Sequence, residues 1–411
     1  MTLNQDFLER LKIVECHDST YRPEKSPLVF SKAKGSLIWD VDGKEYIDLC
    51  AGFGALALGH ASEALLEVTK GFSADRPMVE HAMGDVYPSE EKILFLETLK
   101  SLLPSKYEIG ALALGGGQAV EIALKTAMLY TKKSGFIVFD DAYHGLDLGV
   151  LPLTAREDFS GPFKNWLIDG HVERLPYGAE KDQVLSAIKK LSHCGLAAIV
   201  AEPIQGRAGV RPPPKGWLSM LADVAHGVGG LLILDEVFTG FGRLGKISTA
   251  EDVDADISAF GKAIGGGFPM SACFAKKNIM AAWPESSGEA IHTGTFFGHP
   301  FSAAVGRRTL IQIKNQNLMA RSLDLGEKAK GWLCAAIGHH PLVKDIRGQG
   351  LMIGVEFSTP GLAAKLMDDL REKGVIALPS GSTGATLSIT PALNIPEYLM
   401  KSAIEVLAKV L

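Results

Sequence analysis

The first stretch of the chain that could do chemistry is a run of glycines ahead of a helical pattern. Gly115, Gly116 and Gly117 stand before the helix-like residues 120–130, and Gln118 follows them directly. Glycines let backbone N–H groups approach a phosphate closely, and the dipole of the following helix favours negative charge. A glycine turn without a ligand is the alternative, because so short a motif is common. The run has the spacing of neither a Walker loop nor a dinucleotide fingerprint.

A carboxylate and a lysine follow later in the chain. Asp235 ends the apolar stretch 231–234 (LLIL), and ligands bind at the carboxyl ends of parallel strands. Such a carboxylate could hold a cationic ring nitrogen or a metal ion, or it could cap a loop. Lys262 stands among apolar and glycine residues, where burial would leave a nucleophilic amine able to form a Schiff base. The alternative is a lysine on a surface loop.

The elements that must position these residues alternate between apolar strands and helices. Helix-like stretches separate the strands, and this alternation predicts a mostly parallel sheet covered on both faces. The strand-like stretches are 135–140, 196–202, 230–237 and 255–260, and the helix-like ones include 119–132 and 182–191.

The two ends of the chain have a different pattern of predicted strands and helices. Residues 37–49 predict a β-hairpin around the turn dipeptide Asp42-Gly43. After residue 305 a long helical stretch extends to about residue 337. A strand at 350–357, a helix at 361–373 and strands near Val375 and Leu387 follow it. We therefore predict a smaller α+β lobe beside the parallel-sheet domain.

Composition excludes several classes of function. The 411 residues suffice for two or three domains, and 42 Lys and Arg against 47 Asp and Glu give a net charge of −5. That balance argues against nucleic-acid binding and against a polybasic membrane surface. No apolar stretch approaches the ~18 residues of a membrane span, and no signal-peptide pattern begins the chain. The five cysteines form no CxxC pair, so we expect no metal site, reduced thiols and a cytoplasmic protein.

Together, the glycine run, Asp235 and Lys262 supply the groups that pyridoxal phosphate needs from a protein. The glycine run could bind its phosphate, Asp235 could face its ring nitrogen, and Lys262 could form an imine with its aldehyde. The pair Tyr143-His144 adds an aromatic ring that could stack on the cofactor. Each feature alone is weak evidence, but their joint occurrence across one predicted domain favours this cofactor.

The same stretches resemble the class III aminotransferases, which are pyridoxal-phosphate enzymes of fold type I. The matching motifs follow the order of the family along nearly the whole chain. They are 58–60 (LGH), 140–145 (DDAYHG), 201–206 (AEPIQG), 235–243 (DEVFTGFGR), 261–269 (GKAIGGGFP) and 292–296 (HTGTF). The resemblance implies an α/β fold with a large cofactor-binding domain at 56–305 and a smaller α+β domain built from 1–55 and 306–411.

The resemblance also implies roles for individual residues. Lys262 would bind the cofactor covalently and then move a proton as general base and acid, while Asp235 would keep the ring nitrogen protonated. Tyr143 and Val237 would pack on the two faces of the ring. Thr295 would reach the phosphate of the neighbouring subunit, which implies a homodimer with shared active sites. The residues expected at the cofactor are Gly116, Gly117, Gln118, Tyr143, His144, Glu202, Asp235, Val237, Phe238, Lys262 and Thr295.

The chain departs from the family at positions that bear on the substrate. Its phosphate loop lacks the hydroxyl residues of the family, and Phe238 replaces a glutamine that many members carry. Leu146 stands where members acting on acetylornithine, ornithine or 4-aminobutyrate have an arginine that grips a substrate carboxylate. Ser388 stands where many members have a second arginine, and Arg207 stands where the glutamate partner of that arginine is found.

These departures suggest how the substrates are recognised. We hypothesise that Arg207 binds the carboxylate of a 2-oxo acid, while the side of the site at Leu146 admits an uncharged or extended amine. A solvated loop arginine is the alternative for Arg207. By its alignment Phe53 would line the substrate entrance, or else it would lie in the core.

The sequence therefore predicts a pyridoxal-phosphate-dependent aminotransferase. It would move an amino group from a primary or terminal amine (a diamine, an ω-amino acid or an amino sugar) to 2-oxoglutarate or pyruvate in a ping-pong cycle. One alternative is a mutase, epimerase or decarboxylase with the same cofactor and scaffold. Another is a non-catalytic module that binds the cofactor, although such a module has no need of an imine-forming lysine.

Overall fold

A computed structural model describes residues 2–17, 19–20, 27–71, 78–167 and 170–411. Three sheets and the helices around them make up this part of the chain. The strands are β1 (Phe30–Lys34), β2 (Leu37–Asp40), β3 (Glu45–Asp48), β4 (Ile109–Ala113), β5 (Gly135–Phe139), β6 (Val172–Leu175), β7 (Leu196–Ala201), β8 (Leu231–Asp235), β9 (Ile257–Phe260), β10 (Ser271–Ala275), β11 (Val343–Gln349), β12 (Met352–Phe357), β13 (Val375–Ile376), β14 (Leu378–Ser380) and β15 (Thr386–Ile389).

Helices lie between the strands and at both ends of the chain. The helices are α1 (Leu3–Val14), α2 (Glu63–Gly71), α3 (Glu90–Leu102), α4 (Gly116–Thr131), α5 (Glu157–Ser160), α6 (Lys181–Lys190), α7 (Trp217–Gly227), α8 (Lys277–Met280), α9 (Pro300–Asn315), α10 (Leu318–Ile337), α11 (Leu362–Glu372) and α12 (Glu397–Val410). A short 3₁₀ turn at Lys262–Gly265 follows β9 and carries the candidate lysine.

The large sheet has seven strands in the order β4-β10-β9-β8-β7-β5-β6. Strands β6, β5, β7, β8 and β9 run parallel to one another, and β10 is antiparallel to both β9 and β4. Every residue of β7, β8 and β9 is buried, as near-continuous apolar strands require when helices cover both faces. The predicted mostly parallel sheet and its four apolar strands are confirmed.

Two four-stranded sheets lie outside the large one. The first has the order β1-β2-β3-β13, with β2 and β3 forming the predicted hairpin and β3 running parallel to β13. That pairing joins the N-terminal and C-terminal segments in one sheet. The second is antiparallel in the order β11-β12-β15-β14. The domain boundaries at residues 55 and 305 stay a prediction.

The helical region after the large sheet differs from the prediction of one stretch from about 305 to 337. It forms two helices, because α9 ends at Asn315 and Asn317 adopts a left-handed backbone with φ of +51° before α10. Asparagine tolerates that conformation better than most residues, and the chain turns there. The predicted stretch is therefore helical, and the turn within it was not predicted.

Strands β4, β6 and β10 escaped the sequence analysis. Strand β6 is only partly buried along its length and has the mixed composition VERL, so its hydrophobic pattern is weak. Strand β10 is short and rich in small residues, although all of it is buried. None of the helices in the described ranges is long and apolar enough to cross a membrane. All five cysteines are free thiols.

Candidate active site

Four neighbouring strands of the large sheet end at one edge, and the predicted site residues follow their ends. Strands β5, β7, β8 and β9 lie side by side in parallel, so their carboxyl ends meet. Residues 140–145 follow β5, residues 202–207 follow β7, residues 235–238 close β8, and residues 261–262 follow β9. In open α/β sheets this edge is where ligands bind.

Asp235 is held inside the protein by two hydrogen bonds. Its Oδ1 accepts the backbone N–H of Val237 at 3.1 Å, and its Oδ2 is bonded to Nδ1 of His144 at 2.8 Å. Each carboxylate oxygen can accept two hydrogen bonds, so each keeps one acceptor position. The Nε2 atom of His144 is buried and has no partner among the described residues. This arrangement orients the carboxylate and leaves it able to face a cationic nitrogen.

The backbone is closely packed around the start of α4. A Cβ atom on Gly116 would lie 2.7 Å from a methyl of Val237, and one on Gly261 would lie 3.1 Å from the same methyl. A Cβ on Gly145 would lie 2.7 Å from Cα of Gly117. Only glycine allows these approaches, which bring three loops to the helix N-terminus. The first N–H groups of a helix have no acceptor within it, so they are available to an anion.

The side chain of Gln118 turns back along the chain. Its Oε1 accepts the backbone N–H groups of Leu114 at 3.1 Å and Gly115 at 3.2 Å. The hydroxyl of Ser271 on β10 donates to the carbonyl oxygen of Gly115 at 2.7 Å. The side chain of Gln118 therefore shapes the glycine loop. Of Gln118 itself, the backbone N–H is the group that could bind a phosphate.

Lys262 begins the turn after β9 in a left-handed conformation, with φ of +45°. Such a conformation is unusual for a residue with a side chain and is often found at functional sites. Its Nζ lies 4.4 Å from the centre of the Phe238 ring. Burial lowers the pKa of this amine, and the negative charges of Asp235 and Glu202 act in the opposite direction. The lysine is thus a buried amine that feels the negative charge of two carboxylates.

The Phe238 ring is wedged between two glycines. A Cβ on Gly54 would lie 2.7 Å from one edge of the ring, and a Cβ on Gly206 would lie 2.6 Å from another edge. Met352 lies close to Gly206 and extends the apolar surroundings. The neighbouring Phe53 is 56% exposed with φ of +57°, so it is not a core residue. Its place at a substrate entrance stays a prediction.

Arg207 stacks on aromatic rings. Its guanidinium carbon lies 4.7 Å from the centre of the Tyr143 ring and 5.7 Å from that of Phe159. Its positive charge contributes to the lowered pKa values of Lys262 and opposes the rise in the pKa of Tyr143 that burial causes. Arg207 has no carboxylate partner within the described ranges. The side chain is exposed, and its role in substrate recognition stays a prediction.

Glu202 ties two of these loops together. Its Oε1 accepts the backbone N–H of Tyr143 at 3.1 Å, and its Oε2 accepts that of Gly206 at 3.0 Å. Burial raises the pKa of Glu202 to about 7, with the negative charge of Asp235 adding to the shift and His144 opposing it.

Thr295 is not joined to this cluster by any contact between described residues. Its carbonyl oxygen is bonded to Nε2 of His81 at 2.7 Å, and its segment lies beside Gly84. Leu146 is 48% exposed in the chain. The expected role of Thr295 across a subunit boundary stays a prediction.

Ser388 lies in a hydroxyl pair near Arg207. Its Oγ is 2.6 Å from Oγ of Ser380, and the backbone N–H of Gly381 donates to the carbonyl oxygen of Arg207 at 2.8 Å. The side chain at position 388 is thus a neutral hydroxyl that pairs with a second hydroxyl.

Sequence reasoning missed Phe159, Gly54 and Gly206. Phe159 lies on the short helix α5, whose four residues carry no periodic signal. Gly54 and Gly206 are needed because the Phe238 ring lies between them. The two glycines are 152 residues apart in the sequence. The pair of glycines around Phe53 was the only available signal for Gly54.

Comparisons with known proteins place the chain in one family. The model of the family "Aminotransferase class-III" matches residues 20–411. The acetylornithine aminotransferase of Methanosarcina mazei is 34% identical over 93% of this chain and 91% of its own length. The 4-aminobutyrate aminotransferase of Escherichia coli is 30% identical over 93% of both chains.

Solved structures show the same fold. The ornithine aminotransferase of Toxoplasma gondii, described with partial occupancy of pyridoxal phosphate at its active site, superposes with a TM-score of 0.87. It is 25% identical, and the match covers 100% of this chain and 94% of that one. A transaminase from the marine bacterium Virgibacillus gives a TM-score of 0.88 at 25% identity over 98% of both chains. The chain belongs to the class III aminotransferases, enzymes that transfer amino groups with pyridoxal phosphate as their cofactor.

Proposed function

We propose that this aminotransferase carries an amino group from a primary or terminal amine to a 2-oxo acid, pyruvate or 2-oxoglutarate, in two half-reactions. The observation that carries the proposal is the desolvated amine of Lys262, which lies at the carboxyl edge of the sheet with Asp235 and Glu202. Diamines, ω-amino acids and amino sugars are the candidate donors. The roles of individual residues below belong to the same proposal.

The residues present fit pyridoxal phosphate. The start of α4, bare of side chains at Gly116 and Gly117, suits the phosphate. Asp235 keeps two acceptor positions for a protonated ring nitrogen. The aromatic ring of Tyr143 would pack on one face of the planar cofactor ring, and the methyl groups of Val237 would pack on the other.

Lys262 would hold the cofactor and move the proton. When bound, the cofactor supplies an electron sink beside the substrate carbon. The pKa of the Nζ amine is lowered by burial, so the neutral amine is accessible for abstracting a proton, and Asp235 and Glu202 favour its return to the ammonium form. Phe238, held by Gly54 and Gly206, would exclude water from one side of the amine.

Arg207 would bind the carboxylate of the oxo acid. Stacking on Tyr143 fixes the plane of the guanidinium and leaves its edge for two parallel hydrogen bonds to a carboxylate. Leu146 cannot provide such a pair, so its side of the site suits a donor without a carboxylate at that point.

Replacing Arg207 with alanine should raise the KM for the oxo acid about ten- to a hundredfold, because a charge-assisted bidentate pair is lost. Steady-state kinetics with pyruvate and 2-oxoglutarate measure this change. Arg207→Lys keeps the positive charge but cannot form two parallel hydrogen bonds, so its KM should lie between those of the wild type and Arg207→Ala. Arg156→Ala is the matched control, because Arg156 stacks on Phe159 at 4.5 Å but its charge is paired with Asp158. An unchanged KM in a variant that stays active would remove Arg207 from substrate recognition.

A homodimer with shared sites predicts complementation between two damaged subunits. Lys262→Ala lacks the reacting amine, and Thr295→Ala lacks the expected phosphate contact to the neighbour. If each site takes Lys262 from one subunit and Thr295 from the other, mixed dimers regain one intact site. Unfolding and refolding the two variants together should then restore about a quarter of the wild-type sites. Activity no higher than the average of the two separate variants would contradict the sharing of Thr295.

A further inference from the structure

The carboxylate of Glu202 joins two loops that come from different strands. Glu202 directly follows β7, and its side chain is buried. One carboxylate oxygen accepts the N–H of Tyr143, in the loop after β5, and the other accepts the N–H of Gly206, in the loop after β7. A single side chain therefore fixes the distance between these loops at their innermost point.

Those loops carry the two groups that stack on each other. Tyr143 is itself one of the residues tied, and Arg207 is the neighbour of the other, with 4.7 Å between the guanidinium carbon and the ring centre. Outer contacts between the same loops also exist: Gln205 donates to the carbonyl of Asp140 at 2.8 Å, and Arg211 pairs with Asp141 at 2.8 Å. Because the outer contacts remain without Glu202, its loss should loosen the stacked pair and leave the fold intact.

The geometry points to Glu202 as a positioning residue that holds Arg207 against Tyr143 in the orientation that binds the oxo-acid carboxylate. This inference rests on the proposed role of Arg207. Only the ionised carboxylate can accept both N–H groups with equal oxygens. A neutral carboxylic acid has a hydroxyl that donates, and turning it toward an N–H would remove one of the two ties.

The charged and titratable groups that face Glu202 set the pH at which this happens. Burial, with a further contribution from Asp235 at the end of β8, raises the pKa of Glu202 to about 7, while His144 and the two backbone N–H groups act against the rise. The negative charge of Glu202 raises the pKa values of Lys262 and Tyr177. The hydroxyl of Tyr177 donates to the backbone carbonyl oxygen of Glu202. Above about pH 7 the carboxylate is ionised and both ties form. Below that pH the Glu202 side chain is a neutral acid, and Arg207 binds the carboxylate of the oxo acid more weakly.

The test compares Glu202→Gln with a matched buried carboxylate. Glu236→Gln is the control: burial also raises the pKa of Glu236, and its oxygens accept from the Ser248 hydroxyl, Thr249 N–H and Ser258 hydroxyl, away from both loops. The measurements on the holoenzyme are the KM for pyruvate and 2-oxoglutarate, the rate of the amine half-reaction, and the calorimetric Kd of unreactive propionate and succinate, each from pH 5.5 to 8.5.

The expected results separate positioning from general damage. In the wild type the KM and the Kd should fall as the pH rises through about 7. Glu202→Gln should raise both about tenfold at pH 8 and flatten their pH dependence, because an amide side chain presents one acceptor and does not ionise, while the amine half-reaction changes less than threefold. Glu236→Gln should keep the wild-type pH dependence even if it unfolds at a lower temperature.

Three outcomes would overturn the inference. They are a wild-type Kd that does not change between pH 5.5 and 8.5, a Glu202→Gln variant with an unchanged KM, and an equal loss in both half-reactions. The wild-type pH series needs no variant, so it decides even if Glu202→Gln fails to fold. The proposed function fails separately, when Arg207→Ala leaves the KM unchanged. If Arg207→Ala raises the KM and Glu202→Gln does not, only the inference about Glu202 is wrong.

Discussion

Replacing Lys262 with alanine or arginine should abolish amino transfer, with a loss of at least about 10⁴-fold, because both the covalent attachment and the proton transfer depend on its Nζ. Alanine removes the amine. Arginine keeps a positive charge but does not give up its proton at any physiological pH, so it cannot act as a base. Turnover of an amine and an oxo acid measures the loss. Borohydride reduction followed by mass spectrometry measures whether the cofactor is fixed to the peptide that contains residue 262.

Lys106 provides the matched control for this substitution. Burial also lowers the pKa of Lys106, but its Nζ donates to the carbonyl oxygen of Val253 at 2.6 Å and pairs with Asp254 at 3.8 Å, outside the cluster around Asp235 and Lys262. Lys106→Arg should therefore retain activity and the borohydride-fixed cofactor. If Lys262→Arg transfers amino groups within tenfold of the wild type, Lys262 is not the reacting lysine.

Replacing Asp235 with asparagine should lower the rate of amino transfer about 10³-fold, because a neutral amide cannot stabilise a positive charge on the ring nitrogen. The shape of the side chain is kept, so the hydrogen bonds to His144 and to the N–H of Val237 can largely survive. The cofactor should still bind through Lys262 and the start of α4. Single-turnover kinetics of the amine half-reaction measure the chemical step separately from cofactor loss.

A second histidine–aspartate pair, in which only the aspartate is buried, gives the control for Asp235. Asp256 is bonded to Nε2 of His226 at 2.7 Å and stands just before β9, at the opposite edge of the sheet. Asp256→Asn weakens the contacts of this carboxylate to His226, to the backbone N–H of Leu232 and to Lys276, so its cost should appear in the unfolding temperature, with a rate of amino transfer close to that of the wild type. Equal losses of rate in the two variants would show that Asp235 has a structural role only.

Part of this site could be predicted from the sequence because strand ends are predictable. Asp235 and Lys262 each end or follow an apolar stretch that had to be a buried parallel strand, and the glycine run had to precede a helix. Once those elements are known, the edge of the sheet brings the residues together. The chemistry of the cofactor then selects their roles.

The rest depends on contacts between segments that are distant in the sequence. The stacking of Arg207 on Tyr143 and the wedge of Phe238 between Gly54 and Gly206 leave no local pattern. The break between α9 and α10 depends on one left-handed residue, Asn317, which periodicity does not detect. These are tertiary effects, and a hydrophobic pattern carries no information about them.

The most direct test of the central claim is the absorption spectrum of the purified protein, titrated first with amines and then with oxo acids. We expect an absorption band of the aldehyde cofactor bound to Lys262. One class of primary or terminal amine should discharge that band, and pyruvate or 2-oxoglutarate should restore it in equal amount. A band that no amine discharges, or that returns without any oxo acid, would contradict amino transfer between these substrates. The second result would favour a mutase, epimerase or decarboxylase reaction.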